Sequence, residues 1–339
     1  MEKGKTPLGK LAKHFETYNR SEGKSPKTVV WYSSILRYLG DYLKAQGLPD
    51  DLDHLEVDVV REFIVHLQTK KKWAGHPGLN GGGYLRAISV QTYVRGVKGF
   101  FSWLQREGYT EENRLAHLKP PKAPKTLAEV LTDEEVRRIL ASLNPETPTG
   151  CRDRAILVTL LDTGLRLSEV AGIRMADVHI DEGYLKVMGK GAKERIVPMG
   201  GLAQKALLRY IHHFREEPLT FDDDRIFLTL EGRAMSGDAV QLMTKRLARK
   251  SGVERLHPHL CRHTFATNYL INGGDMFTLQ QILGHTTLEM VRRYVNLASA
   301  HVMVQHRKFS PMDRMKLGTL SRGSAKRSVV ERRRRAPGS

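Results

Sequence analysis

The 339-residue chain holds only two cysteines, Cys151 and Cys261. That excludes a disulfide framework and a cysteine-rich zinc module. No apolar run reaches the roughly 18 residues of a membrane span. The opening MEKGKTPLGKLAKHFETYNR also lacks the apolar stretch of a secretion signal. The expectation is a soluble, cytoplasmic protein without a membrane partner. Acidic residues are short as well: 37 Asp and Glu stand against 55 Lys and Arg, a formal net charge of +18. Such a surplus favours a polyanionic partner, nucleic acid before an anionic lipid surface.

What is present divides naturally in two. The length suffices for two domains, each with its own core. Ser25 and Pro26 read as an N-cap and first helical residue, and Val29, Tyr32, Leu36, Leu39 and Leu43 follow at helical spacing. A second helix is expected through Val59, Phe63, Ile64 and Leu67, and a third from near Ser89 through Val90, Val94, Val97, Phe101 and Leu104. Between these two, Lys70, Lys71 and Lys72 precede the Gly-rich stretch GHPGLNGGG. Basic side chains beside such backbone suit phosphate contact, and equally suit a solvated helix end. Pro120, Pro121 and Pro124 then forbid helix continuation, which places a linker there and the domain boundary near residue 125.

Thr132 and Glu135 have capping-box spacing, so a helix starts the second domain. The apolar run AILVTLLDTGLRLSEVAGI is broken by Gly164, and YLKVM and RIVPM, joined through GKGAKE, read as a β-hairpin. Helical periodicity resumes from Ala239 to about His301. From Pro311 onward, nine Lys and Arg face only Asp313 and Glu331, so this tail carries +7 and leaves +11 for the rest. With few large apolar residues, the tail is expected to be disordered and to hold nucleic acid loosely.

The stretch HPHLCRHTFAT, 257 to 267, resembles a metal site at first sight. Pro258 at a first helical position, followed by Phe265, Ala266, Tyr269 and Leu270, predicts a helix over 258–271 instead. On a helix His259 and Arg262 share a face, and a guanidinium there repels a metal ion. A planar fork of donors beside an imidazole suits a phosphate better. Taken alone, such a pair is more often structural or merely solvated than functional. Cys261 reads as a small buried apolar residue.

TGLRLSEV (163–170), VMGKGAKERIVP (187–198), HPHLCRHTFAT, LGH (283–285) and VRRYVNL (291–297) follow one another in the order of the tyrosine recombinases. Over residues 10 to 305 the chain resembles a phage-integrase or Xer-type enzyme. The resemblance implies a mainly α fold with a small β-sheet. A helical SAM-like core-binding domain would span 1–118 and a linker 119–129. A mixed α+β catalytic domain of the DNA breaking-rejoining fold would span 130–312, with a basic tail over 313–339.

It also implies six catalytic positions: Arg166, Lys190, His259, Arg262, His285 and the nucleophile Tyr294, with Glu169 supporting Arg166. Lys193 and Arg195 become phosphate contacts or solvated charges, and His263 packs or hydrogen-bonds within the domain. Thr286 and Glu289 form a capping box that would start the helix carrying Tyr294. The expected chemistry is a 3′-phosphotyrosyl DNA intermediate and strand exchange without metal, ATP or other cofactor. The implied partners are double-stranded DNA and three further copies in a synaptic tetramer, which a second recombinase or an accessory DNA-bending protein would join. The segment from Val302 to about Met315 is the candidate for exchange between subunits. The chain before Ser25 is short for an added arm-site domain, which favours a simple Xer-like design. Alternative readings are relaxation of supercoils by type IB topoisomerase chemistry and a DNA-binding accessory factor without catalysis.

Overall fold

A computed structural model describes residues 3–69, 83–122, 129–189, 194–220 and 224–285, and single residues 287, 288, 291, 294, 306 and 310. The chain divides into two compact units, Met1–Thr126 and Leu127–Ser339. The division falls inside the expected linker.

The first unit is built from α1 (Leu8–Ser21), α2 (Pro26–Ala45), α3 (Val57–Thr69) and α4 (Ala87–Arg106). α2 starts as its sequence directs: Pro26 is the first helical residue, and the Ser25 hydroxyl accepts from the Thr28 N–H at 3.3 Å. Each helix contributes an apolar stripe: Leu11 and Phe15, Leu36 and Leu39, Phe63 and Leu67, Val97 and Phe101. Gly96 permits close approach of α2, since a Cβ there would sit 2.4 Å from Ile35 Cδ1. The helix α1, which periodicity did not single out, supplies Phe15 to an aromatic cluster with Phe100 and Trp103.

The second unit opens with α5 (Asp133–Ala141), whose capping box is complete: Thr132 and Glu135 satisfy each other's backbone donors. α6 (Pro148–Thr163) is buried over most of its surface and encloses the polar side chains of Arg152, Asp153, Thr159 and Thr163 along with its apolar ones. It packs against α8 (Gly201–His213) and α10 (Pro258–Ile271). The sheet is antiparallel in the order β1 (Val178–His179), β2 (Tyr184–Met188), β3 (Glu194–Pro198). The expected hairpin is therefore present, extended by a two-residue third strand. Leu185, Val187 and Val197 face the core, while Lys186, Met188 and Ile196 face out.

α7 (Leu167–Gly172), α9 (Gly237–Ser251) and α11 (Met276–Leu283) complete the described elements. The predicted helix over 258–271 matches α10, with Pro258 at its first position. Residues 288, 291 and 294 are helical, while Thr286 and Glu289 of the expected capping box lie outside the described residues. No described helix is long and apolar enough to cross a membrane.

Candidate active site

The site is assembled from helix ends. α6 terminates because Gly164 takes a left-handed conformation, φ 62°. A side chain is excluded there as well, since a Cβ would lie 2.3 Å from Phe265 Cδ1 and 2.9 Å from Leu283 Cδ2. The chain turns at once into α7, which puts Arg166 at its N-cap. A cation is disfavoured at a helix N-terminus. Glu169 in the first turn offsets this: it accepts the Arg166 backbone N–H at 2.8 Å and Arg166 Nη1 at 2.8 Å. Arg166 Nη2 donates to the Gly284 carbonyl at 3.2 Å.

Glu169 is buried and carries a second guanidinium. Arg195 Nη1 and Nη2 donate to its two oxygens, each at 2.9 Å, and Arg195 Nε donates to the Ile282 carbonyl at 2.8 Å. Burial alone would raise the Glu169 pKa, but the donors from Arg195 and Arg166 outweigh it and hold the carboxyl below its ordinary value. Arg195 was expected as a phosphate contact or a solvated charge. The second alternative is corrected here: its side chain is 14% exposed, because residue 195 shares the inward face of β3 with Val197.

Arg262 is 4% exposed. Its Nη1 donates to the Gly164 carbonyl at 2.6 Å, and Nη2 to the Leu283 carbonyl and His285 Nε2, each at 2.8 Å. Burial and then the neighbouring Arg166 lower its pKa to about 10, which leaves it charged at neutral pH. His285 follows the left-handed Gly284 at the end of α11. Burial, Arg262, Arg166 and Arg195 lower its pKa to about 4, so the ring is neutral. With Nε2 accepting from Arg262, the ring proton belongs on Nδ1. That atom is buried and has no partner among the described residues.

His259 lies one turn before Arg262 on α10 and is exposed. Loss of hydration, His257, Arg262 and Arg166 all pull its pKa below the usual value. The three histidines of HPHLCRHTFAT have separate surroundings: His257 Nδ1 meets the Arg255 carbonyl at 2.6 Å, and His263 Nδ1 lies 3.1 Å from the Tyr294 hydroxyl. Cys261 is fully buried, and burial pushes its thiol pKa up to about 12, as suits a packing residue. Tyr294 is 5% exposed and sits among Ala266, Leu270, Leu279, Leu283 and Val291. Its ring lies parallel to His285, centroids 6.3 Å apart.

Of the six catalytic positions expected, the fold thus gathers Arg166, Arg262, His285 and Tyr294, sets His259 at the rim, and adds Glu169. Lys190, Lys193, Lys70, Lys71 and Lys72 lie outside the described residues, as do the 313–339 tail and most of the 302–315 segment. Sequence reasoning missed the partner of His263, which is the Tyr294 hydroxyl, and the partner of Arg195, which is Glu169. For Arg195 strand alternation signalled the burial but not the partner, because Val197 turned inward takes residue 195 with it.

The description "Phage integrase family" matches residues 129–301. The tyrosine recombinase XerD of Listeria monocytogenes serotype 4b (strain F2365) is 30% identical over 302 residues, 88% of this chain and 96% of that protein. The tyrosine recombinase XerC of Oceanobacillus iheyensis is 32% identical over 291 residues, 85% and 91% of the two chains. The Tn1549 transposon integrase, solved in complex with transposon right end DNA, shares the fold with a TM-score of 0.69 at 19% identity, over 90% of this chain and 100% of that one. Three arginines whose donors meet Glu169 and the carbonyls at the ends of α6 and α11, with an adjacent tyrosine, are thus set in a chain that matches these proteins over most of its length. The chain belongs to the phage integrase family and is a tyrosine-type site-specific DNA recombinase.

Proposed function

We propose that Tyr294 attacks a phosphodiester held between Arg166 and Arg262, breaking the bond to the 5′ oxygen and leaving a 3′-phosphotyrosyl link. The convergence of these two guanidiniums through Gly164, Gly284 and Glu169 carries the proposal. Three guanidinium charges against one carboxylate, with His285 neutral, leave two positive charges uncompensated. They meet the charge that develops on the non-bridging oxygens. The backbone carbonyls that hold Arg262 fix its direction before substrate arrives, so little reorganisation is needed.

Lys190, between β2 and β3 in the sequence, protonates the departing 5′ oxygen by the family resemblance. The phenol proton passes to an imidazole: His259 takes that role by resemblance, and His263 is the ring already against the hydroxyl. Neutral His285 accepts from Arg262 through Nε2 and so holds that guanidinium towards the phosphate. A 5′-hydroxyl from another strand then attacks the link and reseals the DNA, which conserves the bond energy without a nucleotide.

The substrate is duplex DNA. Exposed basic residues supply sequence-independent phosphate contacts: Lys27 and Arg37 on α2, Arg95 on α4, and Lys245, Arg246, Arg249 and Lys250 on α9. The neighbour bound to transposon DNA supports this reading. Recombination requires two duplexes cut by four subunits, and the cytoplasm is the compartment where such DNA is found.

A nicked suicide duplex tests the proposal. Wild-type protein is expected to form a covalent adduct on a denaturing gel in the presence of chelator, and Tyr294→Phe none, with duplex binding retained. An adduct that forms only with divalent metal, or persists in Tyr294→Phe, refutes it. Relaxation of supercoils without strand exchange by the wild type would instead favour the topoisomerase reading.

A further inference from the structure

Arg195 stands on the inward face of β3, opposite Val187 on β2. An arginine on the buried face of a strand must find partners for a planar fork of donors that never loses its charge. Arg195 finds them in two elements at once. Its fork grips both oxygens of Glu169 on α7, and Nε reaches the carbonyl of Ile282 at the end of α11. It also lies directly under the turn leading to His285, since a Cβ on Gly284 would sit 3.1–3.2 Å from Arg195 Nε, Cδ and Cζ.

The Glu169 oxygens held by Arg195 are the same two that accept Arg166 Nη1 and the Arg166 backbone N–H. Glu169 therefore has four donors in two pairs, one from each arginine. Removal of the Arg195 pair would leave a buried carboxylate held from one side only. Arg166 would then follow Glu169, and the α11 end would lose its tie to the sheet.

We infer that Arg195 is a positioning residue for the cleavage reaction. It acts through Glu169 on Arg166, and through the α11 end on His285, and makes no contact with DNA. The inference rests on the proposed cleavage by Tyr294. It also states what the hairpin contributes besides Lys190: a rigid anchor five residues further along the chain.

The experiment compares wild type with Arg195→Gln and Arg195→Lys on the nicked suicide duplex. Single-turnover adduct formation is expected to fall about 100-fold in Arg195→Gln, the scale of an ångström-sized misplacement. Arg195→Lys, able to reach one Glu169 oxygen, retains more activity. Duplex affinity and its salt dependence stay at the wild-type values. Loss of the slope expected for one phosphate contact, about 0.9 in log K against log salt, would overturn the inference and make Arg195 a DNA ligand.

A duplex with sulfur in place of the bridging 5′ oxygen supplies a leaving group that needs no proton. It should leave the Arg195→Gln defect in place. Full restoration by sulfur would overturn the inference by placing the effect on Lys190. Combining Arg195→Gln with Glu169→Gln should cost less than the product of the two single defects, because both act through one carboxylate. Multiplicative defects would sink the idea. Guanidinium ion added to Arg195→Ala should recover part of the rate if that variant keeps the wild-type melting temperature. A wild type that forms no adduct removes the cleavage proposal itself, a result distinct from all of these.

Discussion

The two units of the chain bury different kinds of side chain. Among the described residues of the amino-terminal unit, Asn19 is the single buried polar residue, and its amide bonds the Phe15 carbonyl one turn back. In the carboxy-terminal unit Arg152, Asp153, Glu169, Arg262 and His285 are all buried. Removing charge from water costs several kcal/mol per ion unless every donor and acceptor is met. The bundle avoids that cost and is a scaffold of apolar stripes. The catalytic unit accepts it, and at the site the return is a set of cations whose directions are fixed in advance. Arg152 shows the structural use of the same device, bonding Asp153 and the Leu228 carbonyl away from the site.

The contrast breaks most sharply at Arg262. Arg262→Ala is expected to reduce single-turnover cleavage by about 10³-fold, the upper end for loss of one charge-stabilising donor group. Arg262→Lys recovers little of this, because an ammonium cannot meet two carbonyls and a ring nitrogen in one plane. Rates within about tenfold of wild type would show that the buried cation is structural only.

The matching cut in the bundle is Phe101→Ala. It should cost about 4 kcal/mol of unfolding free energy, the usual range for an emptied aromatic site. Adduct formation at saturating DNA should be preserved below the new melting temperature. Equal damage to stability and to the rate constant would erase the distinction between scaffold and site.

A third, smaller effect concerns pH. The His285 pKa is depressed from 6.5 to about 4, so the folded state resists a proton that the unfolded chain accepts readily. This contribution is fully present above pH 6.5 and is lost as pH falls towards 4, by about 3 kcal/mol in all. Wild type should therefore lose stability over that window faster than His285→Phe. Parallel denaturation curves at pH 7 and pH 5 would show that the ring is not held neutral. The amino-terminal unit has no buried titratable counterpart of this kind among its described residues beyond Tyr42, whose pKa burial moves upward.

The bundle was more legible than the site for the same physical reason. Stripes at three and four residue intervals revealed α2, α3 and α4, and local caps located the starts of α2, α5 and α10. α1 was passed over because its stripe of Leu8, Leu11 and Phe15 is narrow and set among charges. Within the site, Glu169 could be assigned to Arg166 because they are three residues apart on one helical turn. Arg195 could not be assigned to Glu169: the pair is 26 residues apart and meets only when the hairpin folds onto α7. Tyr294 and His263, 31 residues apart, pose the same difficulty. Periodicity reports which face a residue occupies, and tertiary structure decides what lies opposite.

The carbonyls of Gly164 and Leu283 that hold Arg262 have an evolutionary consequence. A main-chain oxygen is supplied by any amino acid, so drift at residue 283 leaves the acceptor in place as long as α11 keeps its end. The electrostatic heart of the enzyme is thus largely written in a part of the molecule that mutation cannot edit. A lineage can replace some seven residues in ten, the separation between this chain and XerD of Listeria monocytogenes, and each replacement still supplies a main-chain carbonyl. The vulnerable points are few: the arginine itself, and Gly164, where backbone shape and crowding both forbid a side chain.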